Sequence, residues 1–336
     1  MEHSSLILLF VFFFNLFLIL NFSKIKLFNI NLDKPDNVRK THIRPTPLAG
    51  GLILFLNILI YYVIFFFSKN FSLEEVFFSN FEIFNVFFVT SFIVFILGFI
   101  DDKLNLNANL KFFVLIFIIL FFLQYDEVVL INELKFSFYN EAISLDNYNT
   151  IFTIFCFLVF LNAFNMFDGI NLQSTFYSLL VLLSILFLYT NTFFIKLLII
   201  FLITFSYLNF KNKSFLGDSG TLLLGFIISF LFIKLYNLNY IKYADDVVIF
   251  MLIPGLDLIR LFITRIIKKR NPLSPDRLHL HHLLIKKYSL SKTLIIICLL
   301  IFIPIFLNFI NISNILIIIL SIIIYSLIII KTNYKT

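Results

Sequence analysis

The chain has 336 residues, of which 61% are hydrophobic and only 13% charged, with a formal net charge of +7. That balance exceeds what a soluble core needs and excludes an ordinary globular domain. The basic excess reads as membrane topology and attraction to anionic lipid or phosphate, with no basis for nucleic acid.

An apolar helix of about 20 residues spans the hydrocarbon layer. Eleven runs qualify, near 5–22, 48–67, 84–100, 110–124, 150–166, 173–190, 193–209, 218–235, 246–264, 293–309 and 312–330. They are Phe, Ile and Leu with little alternation, and lipid cannot satisfy exposed backbone groups, so helices are the spanning structure and a barrel is excluded. The expected fold is an all-α polytopic membrane protein with about 10–11 transmembrane helices, a single integral membrane domain over 1–336. The first run has no Lys or Arg in its leading residues and no small-residue cleavage site, and reads as a retained helix. Cys156 and Cys298 fall inside spans as buried hydrophobes. Around 127–144, Val, Leu and Ile alternate with polar residues, and Leu134, Phe136 and Phe138 recur at period two, predicting a short external β-hairpin.

Orientation follows from the basic residues. With helix one entering from outside, segments after odd-numbered spans collect the cations between Lys24 and Arg44, Lys103, Lys111, Lys211, Lys213 and those between Arg265 and Lys292; the opposite loops hold only Lys69, Lys135, Lys234 and Lys242. This places the N-terminus outside and the C-terminus in the cytoplasm. All five polar motifs then fall on the cytoplasmic face: DKPDNVRKTHIRPTPLAGG (33–51), GFIDDK (98–103), NAFNMFDGIN (162–171), FLGDSG (215–220) and SPDRLHLHH (274–282). The corresponding loops are expected over 23–47, 101–111, 165–173, 210–218 and 265–292. Asp245-Asp246 falls on the opposite face and reads as solvated loop.

A carboxylate at the membrane edge is costly to desolvate and marks ion or substrate handling. Asp101, Asp102, Asp168 and Asp218, with Asn165 as a neutral oxygen donor, are hard ligands of the kind Mg²⁺ takes, its shell completed by water and substrate phosphates. Opposite them stand Lys40, Lys111, Arg277 and the histidines. Acids that hold a cation beside bases that neutralise oxyanions suit phosphoryl transfer on a diphosphate substrate. Gly217, Gly220 and Gly225 around Asp218 either let helix N–H groups approach a phosphate or permit close helix packing. His279, His281 and His282, at offsets of two and one, splay over roughly 100–200° of a helix. They lack the i, i+4 pair of zinc proteases, and read as hydrogen-bonding imidazoles that shift between neutral and charged forms. Asp276 is a candidate helix cap. Asp257 and Arg260, one turn apart inside a span, read as a structural pair.

In order along the chain, RKTHIRPTPLAGG, GFIDD, NAFNMFDGIN, FLGDSG, PGLD and PDRLHLHH, from 33 to about 285, resemble the polyprenyl-phosphate N-acetylhexosamine-1-phosphate transferases of glycosyltransferase family 4. These are relatives of the phospho-N-acetylmuramoyl-pentapeptide transferase. PDRLHLHH resembles the undecaprenyl-phosphate GlcNAc-1-phosphate transferase branch, which starts O-antigen, enterobacterial common antigen or teichoic-acid linkage units; the peptidoglycan branch usually shows three consecutive histidines. The resemblance implies transfer of N-acetylhexosamine-1-phosphate, first of all GlcNAc-1-phosphate, from a UDP-sugar to undecaprenyl phosphate with release of UMP, in a bacterial inner membrane with the active site cytoplasmic.

Residue by residue, the resemblance implies Asp101, Asp102 and Asp168 as catalytic. The first two handle the lipid phosphate by positioning and electrostatics, since a phosphate monoester with a second pKa near 6 is already mostly dianionic at neutral pH. Asp168 matches the nucleotide site. Asp218 matches the Mg²⁺ ligand, with Asn165 as its partner and Mn²⁺ as a substitute ion. Lys40, His42 and Lys111 match positions near the phosphates; Arg277, His279, His281 and His282 match contacts to diphosphate and sugar; Asn171 matches a contact to uracil. The chain departs from the family where an aspartate, glycine and leucine are common, carrying Asn171, Leu172 and Gln173 instead. The Asn amide still suits a uracil edge, and loss of the glycine is expected to alter the turn. Implied partners are a UDP-N-acetylhexosamine, undecaprenyl phosphate and membrane lipid, with a homodimer left open. The alternative is a non-catalytic or transport-type protein handling polyprenyl-linked sugars. Against it stand the missing internal repeat and the retained aspartates.

Overall fold

In a computed structural model of the chain the described residues are 2–35, 44–68, 76–190, 192–272 and 276–333. Lys40 and His42 lie outside them. Every expected apolar run is a helix: α1 (Glu2–Leu20), α2 (Gly50–Ser68), α3 (Phe81–Leu104), α4 (Ala108–Leu123), α5 (Asn149–Phe167), α6 (Gln173–Leu188), α7 (Phe193–Phe210), α8 (Gly217–Asn237), α9 (Ala244–Ile267) and, after the short α10 (Leu280–Ile285), α11 (Leu290–Phe309) and α12 (Asn314–Asn333). Among the described residues eight helices are long and apolar enough to cross a membrane, and Ser5–Leu20, Ala108–Leu123 and Gln173–Leu188 are shorter apolar helices. The protein is an all-α polytopic membrane protein. The expected hairpin is present as β3 (Glu133–Phe136) and β4 (Tyr139–Ser144), antiparallel with Leu134 opposite Ile143.

The polar stretches are less loop-like than expected. Asp101 and Asp102 belong to the last turn of α3, which ends on Asn105 in the left-handed region (φ 50°), and α4 starts at Ala108. The expected loop 101–111 therefore contracts to 105–107. Residues 165–167 likewise finish α5, 217–218 open α8 and 265–267 finish α9. A helical terminus keeps most backbone groups paired at the membrane edge, so the polar residues need not break the helix.

The chain forms two compact units. The first comprises 1–127 and 178–231. Within it α1 and α2 pack on α7, and α3 packs on α2 and α4. Asn15 and Asn57 exchange amide hydrogen bonds of 2.7 and 3.0 Å between α1 and α2, and each also donates to the carbonyl four residues earlier. Such fully satisfied amides bind helices together where water is absent. The abundant phenylalanine builds the rest: Phe230 stacks on Phe78 at 5.8 Å and lies 4.7 Å from Phe87, while Phe122 meets Phe226 edge-on at 5.4 Å. Offset and edge-on aromatic pairs contribute about 0.5–1.5 kcal/mol each beyond area burial.

The second unit comprises 128–177 and 232–336, with α9 packed against α5, α11 and α12. Pro254 inside α9 has no N–H to give to the carbonyl four residues back. That carbonyl, on Phe250, accepts instead from the buried Tyr177 hydroxyl at 3.1 Å. The hairpin is anchored by Tyr236, whose hydroxyl donates to the Glu133 carbonyl (3.1 Å) and accepts from the Lys135 N–H (2.7 Å). Asp245 and Asp246 are not solvated loop. Asp245 is 2% exposed and accepts from the N–H and hydroxyl of Ser137, and Asp246 accepts from Asn308 (2.9 Å) and Asn314 (2.7 Å). The pair fastens α9 to the hairpin and to the α11–α12 connection, because a carboxylate at this depth persists only when hydrogen-bonded. Cys156 and Cys298 are free and half-buried.

Candidate active site

The acidic motif residues of the first unit converge on the start of α8. Asp102 Oδ1 accepts from the Asp218 N–H at 2.7 Å, and its Oδ2 accepts from the Ser219 N–H (3.1 Å) and hydroxyl (2.7 Å). A carboxylate from α3 thus caps α8, where the unsatisfied amides and the positive end of the helix dipole favour an anion. Gly217 enables this approach: its φ is +74°, and a Cβ there would sit 2.8 Å from Asp102 Oδ2. The next stretch upstream of α8 is held by backbone bonds, Gly50 N–H to Phe215 O and Gly51 N–H to Leu216 O, both 3.0 Å. Between the two roles open to the glycines, close packing is the one this geometry displays, since Asp102 already takes the Asp218 and Ser219 amides.

Asp101 points elsewhere, as neighbours on a helix must, being about 100° apart. It is 3% exposed; Oδ1 accepts from the Leu106 N–H (2.8 Å) and Oδ2 pairs with Lys111 Nζ at 2.5 Å. One carboxylate therefore closes the 105–107 turn and fixes the lysine predicted to meet phosphate. The Lys111 ammonium interacts electrostatically with Asp218, Asp101 and Asp102, so these four expected residues form one charged cluster. Among the described residues no group of three or more His, Cys, Asp or Glu is arranged to hold a metal ion. Mg²⁺ does not require one: it is commonly bound through one or two carboxylates, with waters and substrate phosphates completing the octahedron. Asp218, half-buried beside a second carboxylate, fits that requirement.

The remaining motif residues lie in the second unit. Asn165 is in the last turn of α5 and Asp168 is its C-cap, accepting from the Ser174 hydroxyl across the turn that leads into α6. Within that turn Leu172 has φ +70°. A leucine thus holds the left-handed conformation, which costs an L-residue roughly 1–2 kcal/mol. Gln173 follows, 2% exposed, and neither end of its amide finds a hydrogen-bond partner among the described residues. Asn171 is half-buried.

Gly169 abuts the His281 imidazole so closely that a Cβ would collide with the ring. This contact joins NAFNMFDGIN to PDRLHLHH, two motifs separated by more than 100 residues of sequence. His279 and His281 stack at 5.4 Å with rings 10° from parallel, and His281 and His282 lie 4.3 Å apart. Burial, followed by the charges of His282 and His279, holds the His281 pKa well below 6.5. Burial, His279 and Arg277 bring His282 down to about 4. Both rings are thus neutral at pH 7, and the expected shift between neutral and charged forms lies well into the acid range for them in the ligand-free chain. Arg277 is exposed. The N-cap of α10 is His279, not Asp276. Asp276 instead accepts from the Leu278 N–H (2.8 Å) and pairs with Arg265 (2.8 Å). Although burial opposes it, the Arg265 and Leu278 bonds hold its pKa below the usual carboxylate value.

Several supporting residues were not singled out from sequence. Ser219 and Ser174 each complete a carboxylate's hydrogen bonds, and Tyr325 bonds Asp257 at 2.7 Å. Their sequence signal is slight: Ser219 is a hydroxyl within a polar motif, Ser174 follows one by three residues, and Tyr325 stands in an isoleucine-rich stretch.

The sequence model of glycosyl transferase family 4 matches residues 84–236. The undecaprenyl-phosphate alpha-N-acetylglucosaminyl 1-phosphate transferase of Thermotoga maritima is 30% identical over 268 residues, covering 79% of this chain and 77% of the relative. The protein of the same name from Salmonella typhi is 24% identical over 273 residues, covering 78% and 71%. A probable undecaprenyl-phosphate N-acetylglucosaminyl 1-phosphate transferase of Bacillus subtilis is 25% identical over 264 residues, covering 75% and 68%. With that identity spread over most of both sequences, on an all-helical membrane fold that gathers the polar motifs at helix ends, the chain belongs to glycosyl transferase family 4.

Proposed function

We propose that this protein transfers N-acetylhexosamine-1-phosphate, with GlcNAc as the first choice of sugar, from a UDP-sugar to undecaprenyl phosphate. The observation that carries the reading is the 30% identity to the Thermotoga maritima transferase over 79% of the chain. In this reaction an oxygen of the lipid phosphate attacks the β-phosphorus of the donor, the bond from that phosphorus to the oxygen bridging it to the α-phosphorus breaks, and UMP leaves. The nucleophile is mostly dianionic at neutral pH, so the protein's task is to position and neutralise charge.

Asp218 is the Mg²⁺ ligand in this reading; the bound ion supplies neutralisation of phosphate charge. Asp102 positions Asp218 by capping the turn that bears it, and Asp101 orients Lys111 toward phosphate. In the second unit Asp168 braces the turn that bears Asn171, whose amide meets the uracil edge, while Arg277 and the three histidines bind diphosphate and sugar. The excess of Lys and Arg in the motif-bearing loops supports a cytoplasmic site and a cytoplasmic C-terminus in a bacterial inner membrane. The test is UMP release by the purified protein with undecaprenyl phosphate against UDP-GlcNAc, UDP-GalNAc and UDP-glucose. The reading expects metal-dependent release with an N-acetylhexosamine donor. Lipid-linked sugar movement without UMP release would favour the transport-type alternative.

A further inference from the structure

Asp257, read from sequence as half of a structural ion pair, has a fuller set of partners than an ion pair requires. It lies on α9, 4% exposed. Its Oδ1 accepts from Arg260 Nη2 at 2.8 Å, the Tyr325 hydroxyl at 2.7 Å and the Leu280 N–H at 3.1 Å. Its Oδ2 faces His279 Nδ1 at 3.0 Å. Arg260 also donates Nε–H to the Tyr325 oxygen (2.8 Å), which turns the tyrosine's own proton toward Asp257. A carboxylate in direct contact with a guanidinium is ionised and can only accept. Nδ1 of His279 must therefore carry the hydrogen of this contact, and Nε2 is left as the ring atom open to chemistry.

We propose that Asp257 is a positioning residue for His279, fixing its Nδ1–H tautomer and its ring plane so that Nε2 is presented to substrate. The catalytic consequence rests on the reaction proposed above; the tautomer does not. The second Arg260 contact, Nη2 to the Leu278 carbonyl at 2.5 Å, holds the backbone on the other side of His279. The stacked His281 ring then takes its orientation from a neighbour that cannot rotate. With the Nδ1–H held by the carboxylate, Nε2 is offered to substrate as a hydrogen-bond acceptor, the orienting role expected of a carboxylate behind an imidazole.

Asp257→Asn separates this role from simple bracing. Three donors retain the amide oxygen at the Oδ1 position, so the NH₂ group turns toward His279 and donates to Nδ1, forcing the hydrogen onto Nε2. The experiment is ¹⁵N spectroscopy of the full-length protein labelled at histidine in detergent, with the His279 signals assigned from His279→Gln, alongside UMP-release kinetics. Wild type should show a protonated Nδ1. Asp257→Asn should show a switch to Nε2–H, with kcat lowered at least about tenfold. Tyr325→Phe, which removes one Oδ1 donor and leaves Oδ2 alone, should keep the wild-type tautomer. A wild-type Nε2–H tautomer overturns the proposal without any variant having to fold. So does an unchanged tautomer in Asp257→Asn, or a switched tautomer with unchanged kcat. Failure of the parent reading has a different signature: no UMP from wild type with the Nδ1–H pattern intact.

Discussion

At the start of α8 the two oxygens of Asp102 take three donors, two of them backbone amides, and hold a helix terminus. In the second unit the two oxygens of Asp257 take four donors, three of them side chains, and hold an imidazole ring. Asp102 sits in the last turn of an apolar helix and Asp257 in the middle of one, and in neither place would an unpaired charge persist. The difference lies in what they fix. Backbone donors make Asp102 a device for the path of the chain, and side-chain donors make Asp257 a device for the orientation of a functional group. In both regions a conspicuous aspartate serves the residue next to which it is placed, Asp218 in one case and His279 in the other.

The sharpest test of the first region is Asp218→Asn, which removes an anionic ligand at nearly constant volume. It should cost at least about 2–4 kcal/mol of transition-state stabilisation, seen as near loss of UMP release with an unchanged unfolding temperature. Normal turnover at low Mg²⁺ would break the metal assignment. A smaller and mixed effect is expected at Asp102, where Asn turns one amide face toward donors. Loss of the cap should lower stability by about 1–2 kcal/mol together with turnover. Asp101→Asn should depress turnover by releasing Lys111. Asp245→Asn cannot serve as the neutral comparison, because Asp245 is buried and bonded to Ser137; the exposed Glu141→Gln is the proper control. If Asp101, Asp102 and Glu141 variants behave alike, the capping account fails.

The second region has its own sensitivity, to pH. His281 and His282 have folded pKa values below 6.5, His282 at about 4. Between those values the unfolded chain binds more protons than the folded one. Their contribution to stability is therefore fully present above about pH 6.5 and lost as pH falls toward 4. The unfolding temperature in detergent should drop across that window, and His282→Gln should flatten the drop. An equal slope in the variant would contradict the assignment.

The smallest effect concerns Leu172. At φ +70° glycine is relaxed and alanine is not, while both lose the buried leucine side chain equally to within one methyl group. Leu172→Gly should be more stable than Leu172→Ala by about 1 kcal/mol, reversing the usual order. Thermal unfolding of the two variants decides it.

Much of the fold was legible in the chain because a membrane helix announces itself locally. The predicted run 84–100 became Phe81–Leu104 and 193–209 became Phe193–Phe210. The hairpin was visible from the period-two aromatics. What stayed hidden depends on partners far apart in sequence. Asp102 meets Asp218 and Ser219 across more than 110 residues, and His281 meets Gly169 across a similar span. No local pattern told Asp245 apart from a solvated carboxylate, because its partner Ser137 lies 108 residues away. At Leu172 the departure from the common glycine was visible in the sequence, but that a leucine would stand there at φ +70° was not, because side-chain type alone does not report a backbone held by its surroundings.

The central claim is that phosphate moves with the sugar, and the fate of the donor's β-phosphate tests it most directly. UDP-GlcNAc labelled with ³²P at the β-position should be incubated with the purified protein, undecaprenyl phosphate and Mg²⁺, and the lipid and aqueous phases separated. The account predicts label in the lipid phase, matched by unlabelled UMP in the water. Label retained as UDP, with unlabelled phosphate in the glycolipid, would show that the sugar alone is transferred and would contradict it.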